Sequence, residues 1–320
     1  MKILIASVQV PFVRGGAEIL AEDLEAALLR AGHQAALVRV PLTSARPESL
    51  LDQVLACRLF DLAETPVGEV DRVIGLKFPA YLVPHPNKVL WLLHQHRQAY
   101  DLWPQGGLDL VPGGRRLRDS LRRIERDLLA EVRATFAIAA NVAHRVERFW
   151  GRRAAVLYPP PRLAGRLFSA PAEDYLFFPS RITSTKRHRL VLEALARTSR
   201  PVRLVLAGAP DGPRDRDLLV ASCGELGLGA RVEWLEEVDD ERLLDLYARC
   251  RAVVFPPHDE DYGYVTLEAM FAGKPVVTCS DSGGPLEFVR AGEHRLEGDV
   301  AVVLVVGRED HRATARVEIQ

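Results

Sequence analysis

The chain has 320 residues, 48% of them apolar and 27% charged, and a formal net charge of −1. That near-neutral balance gives no global attraction to nucleic acid. The longest apolar runs fall short of the ~18 residues a membrane span needs. Four cysteines, Cys57, Cys223, Cys250 and Cys279, lie apart without C-x-x-C spacing, so neither a zinc site nor a disulfide framework is expected. These features predict a cytoplasmic protein whose membrane contact, if it has any, is peripheral, at the inner surface.

Taken in chain order, short apolar runs alternate with amphipathic segments, the rhythm of a parallel α/β sheet. Residues 2–8 read as a strand, residues 17–32 as a helix with Leu20, Leu24, Ala27 and Leu28 on one face, and Gly32 as its left-handed cap. Strands are expected at 34–40, 71–76 and 88–94. A long helix over Arg116–Arg133 follows, with Leu117, Leu121, Ile124, Leu128 and Val132 inward, then a strand at 135–140. Its arginines, Arg115, Arg116, Arg118, Arg122, Arg123 and Arg126, read as a solvated face or as a partner for lipid phosphate or an anionic surface, with Glu125 and Asp127 diluting the charge.

Three prolines, Pro159 to Pro161, cannot continue a helix or a central strand and mark a linker. The strand–helix rhythm then restarts with 175–180 and runs to a strand at 275–280, followed by 285–292. Asp239 or Asp240 is expected to cap the helix that follows them. The reading is therefore of three segments: residues 1–158 and 159–293 as two α/β domains, and 294–320 as a tail. In that tail 300–306 and 313–319 read as strands, with no closing amphipathic helix.

Several chemistry-bearing residues sit at strand ends, where α/β proteins bind ligands. Gly15 and Gly16 follow the first strand and allow close backbone approach to a phosphate or acceptor, although a tight turn explains them as well. Lys77 and His94 each end a strand, and His96 lies two residues on. Arg181 and Lys186 flank the loop after 175–180. Glu260 lies in a Gly- and Tyr-bearing loop and Glu268 where the pattern turns helical, with Gly263, Tyr264, Val265 and Thr266 between them. Backbone N–H groups at such a helix start suit a diphosphate, and carboxylates accept from sugar hydroxyls. Glu287 follows Gly283 and Gly284 at a further strand end. No G-x-G-x-x-G is present in the first loop, which argues against a dinucleotide dehydrogenase.

The stretch from Glu260 to Val277, with Gly263, Leu267, Glu268, Ala269, Met270, Gly273 and Pro275, resembles the E-x7-E region of the retaining GT-B glycosyltransferases of glycosyltransferase family 4. The resemblance covers about Met1 to Glu293, with Ser180 where relatives have Gly. It implies a GT-B architecture of two Rossmann-like domains facing across a cleft. The first is then on the acceptor side and the second on the donor side.

It also implies roles. Arg181 and Lys186 would meet the donor diphosphate, Glu268 the ribose, Glu260 and His94 the transferred sugar, and residues 263–266 the diphosphate through their amides. Gly15 and Gly16 would add donor contacts. His96, Lys77 and Glu287 are further sugar or acceptor candidates. The expected reaction is transfer of a hexose, with retention, from a UDP-, GDP- or ADP-sugar to a glycan, lipid-linked or small-molecule acceptor. No metal and no cofactor are expected. Relatives continue past Glu293 into a closing helix, so the tail from His294 reads as truncated or frameshifted. A non-catalytic sugar-nucleotide binder and a nucleotide-sugar epimerase remain as alternatives.

Overall fold

The computed structural model describes residues 1–12, 15–42, 49–103 and 107–289, together with three short strands at 295–296, 299–300 and 304–306. The chain divides into two compact units, Met1–Pro159 and Pro160–Gln320. Arg14 and the residues 313–319 read above as a last strand lie outside the described residues.

The first unit runs β1 (Lys2–Gln9), α1 (Gly16–Arg30), β2 (Gln34–Pro41), α2 (Leu50–Leu59), β3 (Glu64–Thr65), β4 (Gly68–Glu69), β5 (Arg72–Lys77), β6 (Lys88–His94), α3 (Gly114–Leu128), β7 (Val132–Ala137), α4 (Ala140–Trp150) and β8 (Ala155–Val156). Apart from the small antiparallel β3–β4 pair, the strands form one parallel sheet in the order β2-β1-β5-β6-β7-β8. Its core is built from the apolar runs themselves: Ile5, Val73, Leu76, Leu90 and Leu92 are buried. Strands covered on both faces read as continuous apolar stretches, as these do.

The long helix ends earlier than its periodicity predicts. α3 stops at Leu128, a single tight turn covers Leu129–Glu131, and Val132 and Arg133 already belong to β7. Two forces end it. Val132 pairs with Lys88 in the sheet, and Glu131 leaves the helical path to take Arg58 of α2 and the buried Lys88. Arg152 then satisfies the carbonyls of Leu129 and Val132 at 2.7 and 2.8 Å. Glu125, counted above with the solvated charges, is wholly buried on the inner face with Leu121 and Leu128.

The second unit runs β9 (Tyr175–Pro179), α5 (His188–Ala196), β10 (Arg203–Ala207), α6 (Pro213–Glu225), β11 (Val232–Leu235), α7 (Asp240–Arg249), β12 (Ala252–Val254), α8 (Tyr264–Phe271), β13 (Val276–Cys279), β14 (Arg295–Leu296), β15 (Asp299–Val300) and β16 (Leu304–Val306). Its parallel sheet has the order β11-β10-β9-β12-β13-β16 around a core that includes Phe177, Phe178, Leu206, Tyr247 and Phe255. Of the strand expected over 300–306, the described part is Val300 in β15 and Leu304–Val306 in β16. In the segment expected at 285–292, the described residues form a short 3-10 turn, Gly284–Glu287. Asp239 is the cap of α7: its side chain accepts the Arg242 amide at 2.8 Å. Asp240 is taken instead by Arg162 and Arg166, and the Arg162 hydrogen bond lowers its pKa to about 2. Among the described residues no helix is long and apolar enough to cross a membrane.

Candidate active site

In the second sheet β9 lies between β10 and β12, so the chain direction across the sheet reverses there. The carboxyl ends of the strands at such a reversal are the usual ligand position in an open parallel sheet. Both sequence-selected loops, 180–187 and 255–263, leave from this point.

Main-chain hydrogen bonds join these loops to each other and to the loop after β13. The His258 amide donates to Thr185 O at 2.7 Å, Asp259 to Asp281 O at 2.8 Å, Glu260 to Ser282 O at 2.9 Å, and Gly284 to Glu260 O at 2.8 Å. Two glycines make the approach feasible. A Cβ on Gly284 would lie 2.6 Å from Asp261 O, and one on Gly263, whose φ is +88°, 2.8 Å from Pro285 Cγ. Gly263 thereby turns the chain into α8 and sets that helix's N-terminus beside the clasped loops.

Side chains complete the constellation. Lys186 Nζ forms an ion pair with the Glu260 carboxylate and lies 5.2 Å from the centre of the Phe255 ring. Arg181 is exposed and pairs with Asp211 at 2.9 Å. Glu268, one turn into α8, accepts from the buried Tyr247 Oη at 2.7 Å. Burial raises the Glu268 pKa, and the Tyr247 hydrogen bond opposes that rise. Tyr264, Val265 and Thr266 form the first turn of α8, with Thr266 fully buried. Glu287 lies half-buried at the end of the 3-10 turn.

Residues not singled out from the sequence also hold the site. Arg187, at φ +58°, grips Asp281 through two bonds of 2.7 and 2.6 Å and lies 2.7 Å from His258 Nδ1. Its position directly after Lys186 was visible, but a left-handed arginine has no sequence signature. Tyr247 was hidden in an ordinary helical apolar pattern.

In the first unit, Gly15 precedes α1, and its amide donates to Glu18 Oε2 at 2.9 Å. The carboxylate three positions on caps the helix start, a spacing legible in the sequence. The Gly15 amide is therefore engaged within the loop, and Gly16 is the first helical residue, exposed. Lys77 and His94 stand side by side, register partners at the ends of β5 and β6. His94 Nδ1 lies 2.6 Å from Gln95 O, a carbonyl that can only accept, so Nδ1 carries a proton. His96 packs on the Phe78 ring at 4.7 Å, and burial lowers its pKa to about 4, which keeps it neutral. Among the described residues no group of three or more His, Cys, Asp or Glu side chains is placed to hold a metal ion.

Residues 165–313 match the family model for glycosyl transferases group 1. That stretch of the chain is similar to the glycosyl transferases of group 1. It contains the whole clasped-loop constellation and runs past His294, through most of the segment read above as an atypical tail.

D-inositol 3-phosphate glycosyltransferase from Nocardia farcinica is 30% identical over 189 residues, which are 52% of this chain and 42% of that protein. Its counterpart from Mycobacterium avium is 36% identical over 146 residues, 45% of this chain and 32% of the relative. The chain thus spans less than half the length of these curated relatives.

Among solved structures, Anabaena HepE in complex with UDP and glucose superposes with a TM-score of 0.65 at 18% identity, covering 95% of this chain and 86% of that one. Sucrose-phosphate synthase from Thermosynechococcus elongatus gives a TM-score of 0.77 at 17% identity, covering 98% and 88%. At such identities the likeness is one of fold, and the fold is GT-B, with two Rossmann-like units.

Proposed function

We propose that the protein is a retaining group 1 glycosyltransferase of the family 4 kind, transferring a hexose from a nucleoside diphosphate sugar, held by the second unit. The observation that carries this reading is the meeting of Lys186 and Glu260 at the reversal point of the second sheet, beside the N-terminus of α8. The cation and the helix-start amides there match the diphosphate leaving group of such a donor, and the carboxylate its hydroxyls. The glycosyltransferase relatives and the UDP in a structural neighbour support the same donor class.

In this reading Lys186 and Arg181 stabilise charge that builds on the diphosphate as the bond from its β-phosphate oxygen to the sugar C1 breaks. Fixed charges act more strongly on that state than on the ground state. Glu268 accepts from the ribose hydroxyls and Glu260 from the sugar, oriented by Lys186. The acceptor oxygen bonds to C1 on the face the diphosphate leaves. Its proton passes to the departing phosphate, so configuration is retained without a protein nucleophile or a metal. His94 and Lys77 supply sugar and acceptor contacts from the first unit, and the exposed Arg115, Arg116, Arg123 and Arg126 of α3 suit an anionic, lipid-linked acceptor or membrane surface.

Lys186→Ala and Glu268→Ala are each expected to lower transfer from a UDP-sugar by about 100-fold or more, the scale of losing one preorganised electrostatic contact. Product formation measured over a panel of UDP-, GDP- and ADP-sugars checks this. Wild-type turnover in both variants would sink the assignment.

A further inference from the structure

α3 puts a carboxyl group where its helical period calls for an apolar side chain. Glu125 is wholly buried, with Leu121 and Leu128 one turn to either side. An acid there is costly unless donors converge on it. Oε1 accepts from Tyr81 Oη, on the turn after β5, and from the backbone N–H of His96 at 3.3 Å. Oε2 is buried without a hydrogen-bond donor of its own, and the nearby Tyr100 hydroxyl in turn accepts from Trp150 Nε1 at 3.1 Å. Arg122, on the same helix, lies over the Tyr100 ring at 5.0 Å and donates to Ala99 O.

The His96 N–H is the first amide beyond Gln95, past the end of the β6 ladder, where sheet pairing no longer supplies an acceptor. Glu125 supplies it. From the other side Gln95, also buried, donates to Arg145 O of α4 at 3.3 Å. The segment carrying His94 is therefore tied down at both following residues, by the Glu125 side chain of α3 and by a main-chain carbonyl of α4.

We propose that Glu125 is a positioning residue for His94. Its carboxyl group, through the His96 amide, fixes the segment that carries and positions the His94 ring. This rests on the reading of His94 as a sugar contact. The groups facing Glu125 are the phenols Tyr81 and Tyr100, the His96 amide and, on its own helix, Arg122. Burial outweighs these partners and raises the Glu125 pKa to about 7, so the carboxyl group changes charge near neutrality. The ionised form is the stronger acceptor for the His96 N–H. Turnover therefore rises with pH through this region.

Glu125→Gln keeps the size of the side chain and an acceptor oxygen but cannot ionise. It is expected to lower kcat about 10-fold at pH 8, within the range that small misplacements of a reacting contact produce. The donor KM stays unchanged, and the step near pH 7 disappears from the kcat profile. In the Glu125→Gln/His94→Ala double variant the loss is no greater than in His94→Ala alone, because the two act through one contact.

The His96 backbone amide, followed by NMR across pH 5.5–8.5 in the full chain, reads the same coupling without activity. A titration in the wild type that is absent from Glu125→Gln supports the proposal, and a pH-independent wild-type amide overturns it. An unchanged kcat profile in Glu125→Gln also overturns it, as do losses that multiply in the double variant. Wild-type turnover in His94→Ala would instead remove the sugar-contact premise, while the amide titration would still decide whether Glu125 governs the segment.

Discussion

Glu125 and Glu268 are both carboxyl groups that burial pushes upward, and each has a buried tyrosine as its hydroxyl donor. For Glu125 the rise reaches about 7, which has a consequence for stability. Between the ordinary value of 4.5 and about 7 the folded chain holds a proton that the unfolded chain has released. The stability from the neutral acid is thus complete below about pH 4.5 and is lost as the pH rises through about 7. The loss is on the order of 3 kcal/mol. His96 and His188, whose pKa values burial lowers to about 4, act in the opposite sense on the acid side and are common to wild type and variant. Urea unfolding at pH 5 and pH 8 is therefore expected to show Glu125→Gln gaining on the wild type at the higher pH. An equal difference at both values would contradict a buried, titrating acid.

At the scale of elements, loop-to-loop contact governs the second unit. Gly208, at φ +153°, passes so close to the β9 loop that a Cβ would lie 2.2 Å from Ser180 O and 2.8 Å from the Arg181 amide. Both obstacles are backbone and cannot rotate away. Gly208→Ala is expected to cost about 2–4 kcal/mol and to displace Arg181. Gly224→Ala, on an exposed turn of α6 with nothing within 4 Å of the added methyl, should instead gain about 0.5–1 kcal/mol. Thermal unfolding of the two variants checks the contrast.

Strand positions were legible because strands covered on both faces must be apolar throughout, as in KVLWLLH. The end of α3 was not, because the helical period of Leu128 and Val132 continues across it. What stops the helix is a charge pairing between Glu131 and residues 73 and 43 positions earlier. The candidate site was legible where residue type and loop position coincide, at Lys186, Glu260 and Gly263. It was illegible at Arg187 and Tyr247, whose partners, Asp281 and Glu268, lie 94 and 21 positions away along the chain.

At the scale of the whole molecule, the two units carry different sheets. The first has the order β2-β1-β5-β6-β7-β8, and in the second two strands precede β9 on one side. Each has its own buried core. A donor held by the second unit is expected to raise the unfolding transition that includes that unit, by about 2.7 kcal/mol at a ligand concentration of 100 Kd. Scanning calorimetry with a UDP-sugar tests this, and a shift confined to the first unit would contradict the placement of the donor.

The clasp joining the loops after β9, β12 and β13 has a consequence for how such a protein can change over generations. Its four bonds run from main-chain amides to main-chain carbonyls, so they persist whatever side chains residues 258–260 and 281–282 carry. Gly263, Gly283 and Gly284 are fixed by backbone conformation or steric need. Apart from Glu260 and Asp281, whose carboxylates pair with Lys186 and Arg187, the clasp positions are open to drift, and exchanges there change the lining of the candidate site without dismantling its frame.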